Sequence, residues 1–151
     1  MKILMVCLGN ICRSPLAEGI MRAKIEEAGL DWEVDSAGTI GFHAGESPDR
    51  RSVEVAKKHG VDISQQISRQ FRGWDFEQFD RIYVMDSRNY QDVCTMAQSD
   101  EEKAKVKLIM NEVQPGMNIA VPDPYYGEFG FENVYQMLDE ACGRIVGPYS
   151  M

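Results

Sequence analysis

What the chain lacks narrows the possibilities first. No apolar run is long enough to cross a membrane. Residues 1–6 are apolar apart from Lys2, but they run straight into Gly9-Asn10 and Arg13, far short of the roughly 20 residues a helical span needs. The same start does not fit a secretory leader, so the expected address is the cytoplasm, with no membrane partner. Cysteine is sparse, with four in 151 residues and no paired spacing, which suits a reducing compartment better than a disulfide scaffold. Positive charge is in deficit: 16 Lys and Arg stand against 24 Asp and Glu, for a formal net charge of -8. That argues against a nucleic-acid partner and requires a local positive site for any anionic substrate. There is no internal repeat, low-complexity tract or linker, and the charge run Asp100-Glu101-Glu102-Lys103 reads as a solvated helix face. No lysine precedes Ser14 in the manner of a G-x4-G-K-[ST] nucleotide loop, and there is no GxGxxG dinucleotide site.

What is present fits an ordinary globular chain. Hydrophobic residues make up 44% and charged residues 26%, and the length suits one domain over residues 1–151. Residues 2–6 form a short apolar run before the turn signal Gly9-Asn10, so they read as a buried strand. Ser14-Pro15 opens a helix, with Ser14 as cap, Leu16, Ile20, Met21, Ile25 and Ala28 at helical spacing, and Gly29 as the stop. Further strands are expected at 32–37, 80–85 and 106–110. Further helices are expected at 48–59, 87–97 and 131–146. Residues 39–47 and 111–130 read as loops. Strands alternating with helices predict an α/β fold with a parallel sheet covered on both faces.

The chemistry is concentrated in Cys7-Leu8-Gly9-Asn10-Ile11-Cys12-Arg13-Ser14, a C-x5-R-S pattern between the first strand and the first helix. A loop entering a helix N-terminus directs unpaired amides and the positive end of the helix dipole at one spot. Successive amides around Gly9 wrap into an anion nest, and Gly9 and Asn10 tolerate the positive φ angles this needs. Cys7 starts the nest, in a field that favours thiolate, and Ser14 is placed to donate to its sulfur. Arg13 is planar and permanently charged, and suits two phosphate oxygens at once. Thiolate attack on phosphorus would give a phosphocysteine, which water then hydrolyses. A lone cysteine at a strand end is more often a core residue; the strand–loop–helix placement is what favours a phosphate site.

A second cluster is Pro122-Asp123-Pro124-Tyr125-Tyr126-Gly127. Prolines on both sides hold Asp123 in place, as a general acid for a phenolate leaving group requires, although an aspartate between prolines is commonly a turn residue. Tyr125 and Tyr126 are candidate walls of an aromatic slot. His43 reads as an exposed loop histidine and His59 as part of a helix C-terminus.

Together these stretches, with Asp35-Ser36-Ala37-Gly38 and Met85-Asp86, resemble the low-molecular-weight protein tyrosine phosphatases over essentially the whole chain. The resemblance implies a four-stranded parallel sheet flanked by helices, with the phosphate-binding loop between the first strand and first helix, and no metal or other cofactor. It implies Cys7 as nucleophile, Arg13 as phosphate ligand and Asp123 as general acid. Leu8, Gly9, Asn10, Ile11, Cys12 and Ser14 would surround the phosphate. Asn10 would hold the loop in its strained shape, with Ser36 supporting it. The expected substrate is a phosphotyrosine-containing protein, a tyrosine kinase among the candidates, and the expected state is a monomer. Related arsenate reductases use two further cysteines; here Met85-Asp86 stands where they carry one, and Cys94 alone cannot complete that relay. Protein arginine phosphatases carry threonine where this chain has Ile11 and lack the tyrosine pair. Phe42 and His43 stand where some family members have tryptophan or tyrosine. Cys12 lies five positions after Cys7 in the same tight loop, which predicts either a redox partner for Cys7 or a small packing residue. A phosphate-reading module without turnover would share the loop but would not need Cys7, Arg13 and Asp123 together.

Overall fold

The structure is a computed structural model that describes residues 1–124 and 130–150. In chain order it contains β1 (Lys2–Cys7), α1 (Arg13–Ala28), β2 (Glu33–Gly38), α2 (Arg50–Lys58), α3 (Asp75–Gln78), β3 (Arg81–Val84), α4 (Ser87–Met96), α5 (Asp100–Ala104), β4 (Val106–Leu108) and α6 (Gly130–Val146). Short 3-10 turns follow at Ile109–Glu112 and Gly147–Tyr149. The described strands form one parallel sheet in the order β2-β1-β3-β4, as expected.

The alternation along β1 explains the layers. Ile3, Met5 and Cys7 point to one face, where Leu16, Ile20 and Met21 of α1 pack with Val134, Leu138 and Ile145 of α6. Leu4 and Val6 point to the other, against Phe71, Phe76 and Val93. Ile3, Leu4, Met5 and Val6 are all fully buried, each adding roughly 1.5–3 kcal/mol of apolar burial. A strand covered on both faces has no polar side to expose, hence its unbroken apolar run. Register then sets the site: Cys7, the last residue of β1, lies opposite Gly38, the last of β2.

Several boundaries differ from the sequence reading for local reasons. Gly29 ends α1 as expected, at φ 67, with its amide on the Glu26 carbonyl. Ser14, however, does not cap α1. The helix starts at Arg13 with Cys12 at the cap position and no side-chain cap bond, because the Ser14 hydroxyl is buried and turned into the loop. The helix expected at 48–59 begins at Arg50, since Asp49 accepts the Arg51 amide at 2.8 Å and caps it. The fourth strand stops at Leu108, and Ile109 and Met110 stay buried by turning through a 3-10 turn toward α6. Residues 61–79, given no element from sequence, contain α3. It is held by buried Asp75, which pairs with Arg69 at 3.1 Å and accepts the Arg72 amide at 2.8 Å. Asp100-Glu101-Glu102-Lys103 lies in α5, which buries no residue and is capped by Ser99.

Candidate active site

The loop between β1 and α1 turns at Asn10, which adopts φ 56. For a side-chain-bearing residue this left-handed backbone costs roughly 1–2 kcal/mol. The carboxamide of Asn10, itself buried, offsets the cost. Its Nδ2 donates to Ser14 Oγ at 2.7 Å and to Ser36 Oγ at 2.9 Å, while its Oδ1 accepts the Arg69 amide at 3.0 Å. Ser36 Oγ donates onward to Glu18 Oε1 at 2.6 Å, and Glu18 Oε2 pairs with Arg22 at 2.9 Å. Burial raises the Glu18 carboxyl above the usual carboxylate range despite the Ser36 and Arg22 contacts.

The loop carbonyls are tied to the surrounding chain. Cys7 O and Leu8 O accept the amides of Thr39 and Ile40 at 2.9 and 3.0 Å; Ile11 O accepts the Asp49 amide at 2.7 Å. Gly9 O accepts from Ser68 Oγ at 3.1 Å and Cys12 O from Ser52 Oγ at 3.4 Å. In a trans peptide the C=O and the following N–H point opposite ways, so outward carbonyls turn the N–H groups of Leu8, Gly9, Asn10, Cys12 and Arg13 inward. That is an anion nest at the start of α1.

Cys7 lies at the base of this nest, buried, with Sγ 3.1 Å from Ser14 Oγ. Arg13 is also buried, and its Nη1 donates to Asp86 Oδ2 at 2.8 Å and to the Val121 carbonyl at 3.0 Å. Burial works against its charge, but Cys7, Asp86 and Asp123 outweigh it and raise its pKa further. Asp86 accepts the Asn89 amide at 2.8 Å as the cap of α4, so one carboxylate both starts a helix and aims the guanidinium. A cleft of about 300 Å³ opens over these groups. Its walls include Leu8, Ile11, Ile40, Phe42 and His43, and Asp123 stands at its exposed edge.

Cys7, Leu8, Gly9, Ile11, Cys12, Arg13 and Asp123 are thus brought to one cleft, and Asn10, Ser14 and Ser36 form the buried bracing behind it. Tyr125 and Tyr126 lie outside the described residues. His43 corrects the sequence reading. It is half-buried and lines the cleft, its Nδ1 held by Glu46 at 2.7 Å. It fits there because Gly9 has no side chain: a Cβ at that position would sit 3.0 Å from the ring. The roles of Asp49, Ser52, Ser68, Arg69 and Asp86 were not legible, since each reaches the site from a distant part of the sequence, and Glu18, only four positions after Ser14, takes part through Ser36 of β2. Among the described residues no group of three or more His, Cys, Asp or Glu side chains converges as a metal site.

The comparisons with known proteins agree with this geometry. The family profile described as low molecular weight phosphotyrosine protein phosphatase matches residues 2–148. The chain belongs to that family. Relatives named low molecular weight phosphotyrosine protein phosphatase include one from Schizosaccharomyces pombe, 41% identical over 143 residues, covering 91% of this chain and 90% of that protein. The Homo sapiens relative is 39% identical over 144 residues, covering 93% and 90%. Among solved structures, a protein tyrosine phosphatase from Entamoeba histolytica with Hepes in its active site superposes with a TM-score of 0.91 at 38% identity, covering 99% and 96%. A Drosophila arginine phosphatase also reaches a TM-score of 0.91, at 33% identity, covering 100% and 99%. The chain thus shares its overall fold with proteins named as a tyrosine phosphatase and as an arginine phosphatase.

Gly38 tests how tightly β2 braces the loop. A Cβ there would lie 2.8 Å from Leu8 O, 2.9 Å from Gly9 C and 3.0 Å from Asn10 N, all backbone atoms. Gly38→Ala is expected to cost about 1–3 kcal/mol of stability and to weaken inhibition by inorganic phosphate, as measured by thermal denaturation and a phosphate inhibition constant. An unchanged inhibition constant would mean that the loop does not rest on β2.

Proposed function

We infer that this protein hydrolyses phosphotyrosine and simple aryl phosphates through a phosphocysteine intermediate. The observation that carries the reading is the pairing of Cys7 Sγ with Ser14 Oγ at 3.1 Å inside a loop fixed by Asn10, with Arg13 and Asp123 facing the same cleft. The nest and Arg13 take the phosphate oxygens and stabilise charge on them as phosphorus becomes five-coordinate. Cys7 thiolate attacks phosphorus, the bond to the phenolic oxygen breaks, and Asp123 gives that oxygen its proton. Asp123 then takes a proton from the water that hydrolyses the phosphocysteine, and Ser14 steadies the departing thiolate. Leu8, Ile11, Ile40 and Phe42 offer apolar walls to the substrate ring, with Tyr125 and Tyr126 proposed as further walls.

We read residues 1–151 as one catalytic domain acting as a monomer on phosphoproteins, a tyrosine kinase among them. Cys7, Cys12, Cys94 and Cys142 are all free thiols, which suits a cytoplasmic setting. Among the described residues no helix is long and apolar enough to cross a membrane. Cys12 supports redox control of the site. Burial, then Asp49, Cys7 and Asp123, push its thiol up to about 12, so it remains a neutral S–H beside Cys7. If peroxide oxidises Cys7 to the sulfenic acid, the Cys12 thiol condenses with it, forming a disulfide and releasing water.

Four results are expected. Cys7→Ser abolishes turnover of para-nitrophenyl phosphate but retains phosphate binding, and Asp123→Asn slows aryl phosphates by roughly 10²–10⁴-fold, least for the most acidic leaving groups. Normal turnover by Cys7→Ser would exclude the mechanism, and phosphopeptide binding by the parent without turnover would make it a binding module. Ile11→Thr lowers the ratio of phosphotyrosine to phosphoarginine hydrolysis by removing apolar surface from the cleft wall. A small residue in place of Tyr126 is expected to do likewise, and an unchanged ratio in both variants would move the determinant to residues 39–47. After peroxide inactivation, dithiothreitol restores the parent but not Cys12→Ser; equal recovery would leave Cys12 a packing residue.

A further inference from the structure

Helix α2 touches the phosphate loop at one end and the first turn of α6 at the other. At its start, the Asp49 amide and the Ser52 hydroxyl hold the carbonyls of Ile11 and Cys12 at 2.7 and 3.4 Å. At its end, Lys58 Nζ and His59 Nε2 converge on the carboxylate of Glu132, at 3.0 Å on Oε1 and 2.9 Å on Oε2. Gln136, one turn further along α6, donates to the same carboxylate at 2.8 Å. The His59 ring stacks on Tyr135, with centroids 4.1 Å apart and planes 10° from parallel. Arg51 lies 4.7 Å above the Phe131 ring while its guanidinium forks onto Asp49 at 3.1 Å. Gln136, His59 and Lys58 pull the Glu132 carboxyl down to about 2, so it is ionised across the working range.

Apolar packing of Val55 and Ala56 with Val134 and Leu138 already holds the two helices in one core. That attraction has no direction. Hydrogen bonds and ion pairs to particular atoms do, and here they fix the place where α6 begins. What rests on that beginning is Pro124. A Cβ on Gly130, the first residue of α6, would lie 3.0 Å from Pro124 Cα and 3.3 Å from Pro124 O. Pro124 is buried and directly follows Asp123. A proline restricts both its own φ and the backbone of the residue before it, so its placement is passed to Asp123.

We propose that Glu132 is a positioning residue for proton transfer: with Lys58 and His59 it anchors the first turn of α6, and so Pro124 and Asp123, relative to the phosphate loop held by the same helix α2. The inference rests on the reading of Asp123 as general acid. Misplacement of a catalytic group by an ångström or less costs one to two orders of magnitude, and an acid matters most when the leaving oxygen is basic.

The experiment compares kcat/KM across a series of aryl phosphates, from phenyl to dinitrophenyl, in the parent, Glu132→Gln, Gly130→Ala and Asp123→Asn. Glu132→Gln keeps the shape and loses the charge. It is expected to lower kcat/KM roughly tenfold for phenyl phosphate, to leave dinitrophenyl phosphate near the parent value, and to leave inhibition by inorganic phosphate unchanged. Gly130→Ala pushes on Pro124 without touching the charged groups and without harming helix formation, and is expected to steepen the same dependence. A uniform loss across the series, no loss at all, or weakened phosphate inhibition in Glu132→Gln would overturn the proposal. A parent-like series in Gly130→Ala would remove the Pro124 link and overturn it too. A uniform loss in Asp123→Asn would instead overturn the general-acid reading, which separates the two failures. Should Glu132→Gln lose its fold, His59→Gln removes one partner from an exposed position and draws the same distinction.

Discussion

The left-handed backbone of Asn10 is the constraint on which the site depends. One strained residue turns the chain so that a cysteine at the end of a strand and an arginine at the start of a helix face one small space. The strain of roughly 1–2 kcal/mol persists because the Asn10 carboxamide satisfies Ser14, Ser36 and the Arg69 amide at once. Each such bond adds about 0.5–1.5 kcal/mol net, and breaking one strands a buried partner. The loop is therefore set by the chain's own contacts, which is the preorganisation the proposed phosphate chemistry requires of its amides. Ser14 connects this bracing to the chemistry, since the hydroxyl that accepts from Asn10 also lies against the Cys7 sulfur.

A second constraint is charge. The chain is acidic overall, at -8, yet reads as a site for dianions. The structure reconciles the two by burying one arginine and surrounding it with acceptors it shares with other tasks. Asp86 neutralises Arg13 while capping α4, and the Val121 carbonyl fixes the same nitrogen. Removing one partner from such a buried pair is far more costly than the pair itself is stabilising, so Arg13 has little freedom to turn away. The positive field is local and oriented, and the acidic surface elsewhere keeps unrelated anions at a distance.

Much of the fold was legible because its signals are local. The apolar run of β1, the helical spacing of α1 and the Gly29 stop each lie within a few residues of what they specify. Errors arose where a local signal met a distant partner. Ser14 has the residue type of a helix cap, but Asn10 and Cys7 engage its hydroxyl instead. Ile109 and Met110 look like a continuing strand, yet they bury their side chains toward α6 by turning. Residues 61–79 carry no periodic pattern because their order comes from Asp75, Arg69 and the loop they pack against. His43 read as exposed because nothing in the sequence places Gly9 beside it.

The sequence by itself determined the candidate reactive set: Cys7, Arg13 and the amides between them span seven positions, so a single strand–loop–helix unit carries them all, although its shape rests on distant partners. It also determined that Asp123 is held between prolines. Tertiary structure alone decided that Asp123 faces the same cleft, that Ser36 and Arg69 brace Asn10, that Asp86 aims Arg13, and that Glu132 sits under α2. These residues are separated from the loop by tens of positions or more. Their meeting is set by sheet register and by helix packing, such as the pairing of Cys7 with Gly38, which arise only when the whole core closes.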